Sequence, residues 1–336
     1  MSKKQNLGQF YTTNSQYIIG NLINEIPEGS TIIDPFAGNF DLLNLFYDKY
    51  NKIAYDIDPK NNFTIKRNTI LDPPDYRNSY IITNPPYLAR NKNKDKTIYD
   101  QYSVNDLYKA FLKTIFECNG GVIILPLNFL CDEDNDIRLR FFSNFTITNL
   151  NIFEETVFDD TSYTVCSFSF IKKQGSKNII NSILYPSKTK STIEIDKKYG
   201  YRIGGEFYNL IDIESKIKVS RLIKNSKQIP NTNINLRAID TGGKDGRISL
   251  YIGENLYGLT TDRSFATIIL SENYSTDIQK YIVEEFNRFI EENRTKYNSL
   301  FLTNFRNSTK NYARKRISFE TAYKIIQYII NNLGLE

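Results

Sequence analysis

The tetrapeptide Asn84-Pro85-Pro86-Tyr87 directly follows a short apolar run, Tyr80–Thr83. Such a run suits a buried strand. Two prolines must end it, because neither can donate to a sheet ladder and both fix φ. At that strand end the Asn84 side chain offers a carbonyl, and Pro85 offers a backbone carbonyl with no neighbouring N–H to compete for it. Two acceptors at one spot match the two hydrogens of a planar NH2 group. Tyr87 adds a ring, and flat heteroaromatic groups are held between aromatic or apolar side chains. Taken alone, the same four residues also describe an ordinary loop, so their surroundings must decide.

A second constellation lies upstream. Asp34-Pro35-Phe36-Ala37-Gly38 ends an apolar run that begins at Thr31, and Asn39-Phe40-Asp41 opens the next helix. In an open α/β sheet, ligands bind outside the carboxyl ends of the strands, where a small residue lets backbone approach them. Gly38 meets that need. A phosphate-cradling loop wants more glycines and often a lysine, so a nucleoside triphosphate is disfavoured. The next run ends in Tyr55-Asp56-Ile57-Asp58-Pro59. An acid at a second strand end is the usual partner of a ribose diol. Asp56 is the candidate, Ile57 is placed to pack on a flat ring, and Asp58 before Pro59 reads as a turn cap.

Residues 1–172 alternate short β-like runs with helical segments, which predicts an open, doubly wound α/β sheet. The strands expected are Thr31–Asp34, Lys52–Asp56, Thr64–Arg67, Tyr80–Thr83, Gly121–Leu125, Thr146–Ile152 and Thr164–Lys172, with amphipathic helices over Asn14–Glu25 and Asp106–Cys118. Gln174-Gly175-Ser176-Lys177 is polar and turn-rich, a linker signal that places a domain boundary between residues 175 and 176. Beyond it the periodicity is irregular until two helical stretches, Thr276–Asn293 and Ser318–Asn332. A smaller α+β domain is expected over 176–336.

Composition removes several chemistries. The chain has no histidine, so imidazole bases, Ser-His and Cys-His pairs and His-ligated metals are out. Cys118, Cys131 and Cys166 are widely spaced in or beside apolar runs and predict neither a zinc site nor a disulfide frame; no metal is expected. The longest apolar run, Val122–Leu130, is too short to span a bilayer, and the residues after Met1 form no signal peptide. A soluble, cytoplasmic protein with no membrane partner is expected. Charge is uneven: 17 basic against 21 acidic residues in 1–172, but 26 against 17 in 173–336. A basic carboxyl half favours a polyanionic partner.

Taken in order, Gly8-Gln9-Phe10-Tyr11-Thr12, Asp34-Pro35-Phe36-Ala37-Gly38, the Asp56 strand end and Asn84-Pro85-Pro86-Tyr87 resemble the amino-methylating DNA methyltransferases of the gamma arrangement over roughly residues 5 to 172. The resemblance implies a Rossmann-like methyltransferase sheet, S-adenosylmethionine as cofactor, and N6 of a flipped-out adenine in duplex DNA as acceptor. It makes 1–175 the catalytic domain and 176–336 the target-recognition domain of an adenine-specific, restriction-modification-like enzyme. Such an enzyme admits a cognate restriction endonuclease and works as a monomer or homodimer.

By matching motifs, Phe10, Tyr11 and Thr12 would line the methionine end of the cofactor. Asp34, Phe36, Ala37 and Gly38 would sit beside its amino group and backbone, Asp56 would hold the ribose, and Ile57 would flank the cofactor adenine. Asn68 and Asp72 are both candidates for that adenine's amine. The family's usual second glycine is replaced by Phe40, which bears on the local loop shape. Val157 to Cys166 resembles a late motif whose aromatic packs on the flipped base, making Phe158 the second wall opposite Tyr87. Asn84 and Pro85 would orient N6 without a covalent intermediate. Cytosine C5 methylation needs a cysteine after a proline, and none of the three cysteines follows one.

DNA contacts would come from Lys92, Arg237, Lys244, Arg247, Arg263, Arg306, Arg314 and Arg316, each read first as a phosphate contact rather than a base reader. Two other readings share the motifs. One is a methyltransferase with the same clamp acting on RNA or a protein glutamine; the other is a catalytically silent DNA-binding module.

Overall fold

Five short apolar runs become the parallel centre of one sheet: β1 (Thr31–Asp34), β2 (Asn51–Asp56), β3 (Thr64–Lys66), β4 (Ser79–Thr83) and β5 (Gly120–Pro126). The protein is seen in a computed structural model that describes residues 12–133, 136–158, 163–175, 178–223, 229–241, 246–254, 256–258, 262–307 and 313–334. The sheet runs β3-β2-β1-β4-β5 and continues with β7 (Val165–Lys172), β6 (Phe145–Phe153), β8 (Asn178–Tyr185) and β9 (Thr189–Ile195). β7 enters antiparallel between β5 and β6, while β8 lies parallel to β6.

From β1 the chain turns to β2 and β3 on one side, then returns to β4 on the other. That reversal is the topological switch point, where the strand ends splay and leave a crevice. The α/β, doubly wound Rossmann-like class expected from the alternation is the class found.

Burial explains the central strands. Val122, Ile123, Ile124 and Leu125 are at most 1% exposed, as strands covered on both faces must be. Close strand packing fixes Gly121, where a Cβ would lie 1.9 Å from the Ile81 carbonyl oxygen of β4. On β6 and β7, Phe145, Phe168 and Phe170 pack with Phe141 of helix α5 (Asp136–Asn144) in tilted and edge-on rings. In the same helix Arg138, 1% exposed, donates to the carbonyls of Gly200, Phe129 and Asp132.

Four short helices precede α5: α1 is Ser15–Ile19, α2 Thr97–Tyr102, α3 Leu107–Leu112 and α4 Asn128–Cys131. The helix expected over Asn14–Glu25 becomes α1 and a 3-10 turn at Ile23–Glu25. The one expected over Asp106–Cys118 stops at Leu112. There the Thr114 hydroxyl donates to the Phe111 carbonyl at 2.8 Å, a local bond that competes with helix continuation.

The polar turn at 174–177 leads to an expected boundary at 175–176. The chain divides into compact units at Tyr201–Arg202, because β8 and β9 extend the sheet past the polar turn. In the second unit β10 (Val219–Arg221), β13 (Phe265–Leu270), β11 (Ile234–Arg237) and β12 (Ser249–Ile252) form an antiparallel sheet in that spatial order. A hairpin, β14 (Thr303–Asn307) with β15 (Ala313–Arg316), and helices α6 (Gly205–Leu210), α7 (Thr276–Lys296) and α8 (Phe319–Asn332) complete this α+β unit.

Both long helices carry serine caps: Ser275 accepts from the Ile278 amide and Ser318 from the Thr321 amide. Each cap satisfies one otherwise unpaired N–H. Ile282, Phe286 and Ile290 of α7 and Ile325, Ile326 and Ile330 of α8 share one core with Leu236 and Leu250.

Asp240 is the polar centre of this unit. Its carboxylate accepts from the Ile248 and Lys315 amides and pairs with Arg294 of α7 at 2.7 Å, both side chains being at most 10% exposed. Removing one partner of such a pair strands the other in a low dielectric. Asp240→Ala is therefore expected to destabilise the protein by about 3–5 kcal/mol, read as a lowered urea midpoint. Arg247→Ala, which breaks an exposed pair with Glu291, should shift it by less than about 1 kcal/mol. Equal shifts in the two variants would contradict the central role of Asp240.

Candidate active site

The carboxyl ends of β1 and β4 are tied by one buried carboxylate. Asp34 is 1% exposed, and its Oδ1 accepts from the Phe36 amide at 3.0 Å and from the Thr83 hydroxyl of β4 at 2.8 Å. Its other oxygen, Oδ2, is buried and has no hydrogen-bond partner among the described residues. Burial pushes the Asp34 carboxyl up to about 7, against the Phe36 and Thr83 hydrogen bonds, and the Asp56 charge adds to the rise. A buried, half-satisfied anion is costly. A cationic group against Oδ2 would relieve that cost and draw the pKa down.

The loop after β1 is pinned to β2. The Ala37 amide donates to the Tyr55 carbonyl at 2.8 Å, and the Gly38 amide donates to Asp56 Oδ2 at 2.9 Å. Gly38 takes φ +50°, in the left-handed region that favours glycine. Asp56 is 4% exposed and also accepts from the Asp58 amide through Oδ1. Each of its oxygens keeps a second acceptor direction. Ile57, just beyond, is 42% exposed, an apolar side chain open at a strand end. Phe40, where the family pattern has glycine, adopts φ +73° all the same. Phe36 faces α3, edge-on to Phe111 at 5.0 Å.

Asn68 and Asp72 are engaged locally. Asn68 Oδ1 accepts from the Ile70 and Leu71 amides, and Asp72 is paired with Arg67 at the surface. Between them Thr69, which the motifs did not single out, donates its hydroxyl to the Pro35 carbonyl at 3.0 Å.

Next to Asp34, β4 delivers the clamp. The Asn84 amide nitrogen donates to the Thr12 hydroxyl at 3.1 Å, and Asn84 Oδ1 accepts from the Tyr87 hydroxyl. Residues expected to act together from opposite ends of the motif set, 12 and 84, thus meet. Phe10 and Tyr11 lie outside the described residues.

A cavity of about 640 Å³ opens beside the clamp, with Tyr87, Tyr108 and Tyr163 as its aromatic walls and Arg90, Asp106 and Lys109 among its charged ones. Burial pushes the Asp106 carboxyl up to about 6. The volume exceeds one heteroaromatic ring and stays within the ordinary range of ligand clefts, about 300–1,000 Å³. Phe158 is 2% exposed and sits in the core rather than among the cavity walls.

Tyr108 and Tyr163 were missed in the sequence. Tyr108 hides in the apolar stripe of α3, and Tyr163 lies five residues past Phe158 within the same motif. Tyr163 is 37% exposed, with Lys92 5.8 Å over its ring and 3.3 Å from its hydroxyl. That contact is where Lys92 is found.

The other basic candidates vary. Arg263 is exposed. Arg247 pairs with Glu291, the Arg314 Nε donates to the Asp240 carbonyl, and Arg237 lies near the Tyr251 and Phe265 rings. Arg316 of β15 is half-buried. Lys244 and the side chain of Arg306 lie outside the described residues. Among those described, no cluster of three or more His, Cys, Asp or Glu is placed to hold a metal, and no helix is long and apolar enough to cross a membrane.

Neither a protein-family model nor a curated protein matches the sequence. Among solved structures the chain is similar to the methyltransferase subunit of a type I restriction-modification system from Streptococcus thermophilus, at 16% identity and a TM-score of 0.41 over 61% of this chain and 54% of that one. It is similar to the type IIL restriction-modification enzyme MmeI in complex with DNA, at 13% identity and a TM-score of 0.38 over 71% and 46%. A third likeness is to a provisionally assigned class I S-adenosylmethionine-dependent methyltransferase from Listeria monocytogenes, at 14% identity and a TM-score of 0.40 over 51% and 65%. The chain spans about half the length of the type I subunits it matches.

The Asp34 carboxyl gives a test on the protein alone. Its folded pKa, about 7, lies above the ordinary carboxylate value. Between roughly pH 4 and 7 the folded state therefore binds more protons than the unfolded one, and stability falls as pH rises. Three pH units correspond to about 4 kcal/mol at about 1.36 kcal/mol each. Asp34→Asn is expected to lose that fall, measured as urea midpoints at pH 4 and pH 8. Parallel pH profiles for the two proteins would refute the assignment.

Proposed function

We propose that the chain is an S-adenosylmethionine-dependent methyltransferase whose acceptor is N6 of an adenine extruded from duplex DNA. The observation that carries this reading is the half-partnered Asp34 carboxylate at the switch point, joined through Thr83 to the strand that presents Asn84. The residues fit the cofactor. Asp34 Oδ2 is a buried acceptor suited to its ammonium group, Asp56 retains acceptor directions for ribose hydroxyls, and Ile57 is exposed to flank an adenine. Thr12 lies at the methionine end, with Phe36, Ala37 and Gly38 along the backbone; Asn68 or Asp72 would meet the adenine amine. When bound, the cofactor supplies a methyl sulfonium, already an activated electrophile.

The chain's own work is then positional. Asn84 Oδ1 and the Pro85 carbonyl accept from the target NH2, turning its lone pair toward the methyl. Pro86 keeps that turn rigid. No histidine or cysteine is needed, since nothing covalent forms on the protein. Extrusion costs a few kcal/mol, offset by stacking in the cavity beside Tyr87 and by phosphate contacts from the basic second unit. That unit, 202–336, is assigned to target recognition. A cognate restriction endonuclease, and action as a monomer or homodimer, belong to the same reading.

Purified protein is expected to transfer labelled methyl from S-adenosylmethionine to adenine in unmethylated duplex DNA. Asn84→Ala should reduce transfer by at least about 10²-fold in a protein that still folds, checked by a cooperative urea transition. Label in RNA or protein but never in DNA would sink the assignment of substrate, and no transfer to any acceptor would favour a silent binding module.

A further inference from the structure

Tyr87 is buried in a way that its ring alone does not explain. It is 3% exposed, and its hydroxyl is shared between Asn84 Oδ1 and, at 2.8 Å, the Ile124 carbonyl of β5. Its ring meets Tyr108 edge-on, 6.3 Å between centroids at 84°. Burial drives its ionisation well above the ordinary phenol value, so the hydroxyl keeps its proton and remains a donor. At the far end of the same amide, Thr12 accepts from the Asn84 nitrogen at 3.1 Å.

These contacts matter because the terminal torsion of an asparagine is broad and poorly fixed by its own rotamer preference. An amide carbonyl has two acceptor directions. The Tyr87 hydroxyl engages the Asn84 carbonyl along one of them. Ile124 belongs to the most deeply buried strand of the sheet, so the hydroxyl is referred to a rigid backbone point and not to another loop.

We propose that Tyr87 is a positioning residue whose hydroxyl, anchored at the Ile124 carbonyl, sets the Asn84 amide for the target amine. This rests on the methyl-transfer reading above. It assigns the Tyr87 hydroxyl to orientation.

Tyr87→Phe keeps the ring and removes only the hydroxyl. The expected result is a fall in kcat on the order of 10²-fold, with KM for DNA and the signal of 2-aminopurine at the target unchanged. The Asn84 side-chain NH2 resonances, identified by their absence in Asn84→Asp, should shift. A wild-type kcat, a lost 2-aminopurine signal or unmoved Asn84 resonances would each overturn the proposal. If the unaltered protein methylates no DNA, the reaction assignment fails, and the Asn84 resonances alone decide the role of Tyr87. If Tyr87→Phe does not fold, a crystal structure of the unaltered protein decides: a Tyr87 hydroxyl within hydrogen-bond reach of both Asn84 Oδ1 and the Ile124 carbonyl supports the proposal, and one outside it overturns it.

Discussion

A carboxylate buried where two parallel strands diverge governs the amino-terminal unit. Desolvating Asp34 is expensive, and only two hydrogen bonds, from the Phe36 amide and the Thr83 hydroxyl, offset it among the described residues. Both act on geometry. The Phe36 bond turns the chain sharply after β1, and the Thr83 bond locks the end of β4 to the end of β1. The residue after Thr83 is Asn84, so the position of the clamp depends directly on this one anion. An apolar residue at 34 would remove the desolvation cost and, with it, the side-chain bond that aligns the two strand ends. The unpartnered Oδ2 is the part of this arrangement that stability does not account for. An orphan oxygen retained at such cost is understandable where a cation arrives to meet it.

From that anchor, order spreads by backbone groups more than by side-chain packing. Ala37 and Gly38 donate into β2, Thr69 donates back to Pro35, and the loop between β1 and β2 is thereby held on both sides. This explains how Phe40 tolerates φ +73°: neighbouring bonds over-determine the turn, so a residue that prefers other conformations is held there. A second chain of contacts, Thr12 to Asn84 to Tyr87 to Ile124, runs across the clamp into β5. The two chains share β4. Gly121 lies where a Cβ would meet the Ile81 carbonyl of β4, so only glycine fits between β4 and β5 there.

Strand positions were legible because their cause is local. A run such as Thr31–Asp34 or Val122–Leu125 has no other way to bury its side chains, and its ends are marked by Pro or Gly. Helices were less so, since Thr114 redirects a backbone acceptor and ends α3 earlier than its apolar spacing implies. Strands β8 and β9 were invisible for a different reason. Their residues, Asn178–Tyr185 and Thr189–Ile195, mix Asn, Ser, Thr and Lys with isoleucine, as sheet-edge strands can, and the preceding polar turn looks like a linker. Asp34, Thr12 and Asn84, singled out by residue type and order, lie near one another: Asp34 accepts from Thr83, and Asn84 donates to Thr12. The other aromatic cavity walls were not singled out, because Tyr108 on a helix stripe has the same pattern as a core residue until α3 is placed against the clamp.

The basic carboxyl half illustrates the limit of counting charge. Its excess of lysine and arginine is real, yet part of it has structural work within the unit. Arg294 is buried against Asp240, Arg314 donates to the Asp240 carbonyl, and Lys315 is 2% exposed with its ammonium on Asn304. Two of these cations thus engage Asp240, Arg294 at its carboxylate and Arg314 at its backbone carbonyl, while Lys315 ties the two hairpin strands through Asn304. A polyanion would meet the remaining exposed cations, such as Arg263, and these sit on a frame whose rigidity comes from the internal ones. The same element therefore supplies both charge and stiffness, and a substitution at Arg294 or Lys315 would act through the fold before it acted through lost charge. Net charge does not separate exposed cations from those that hold the surface in place; burial does.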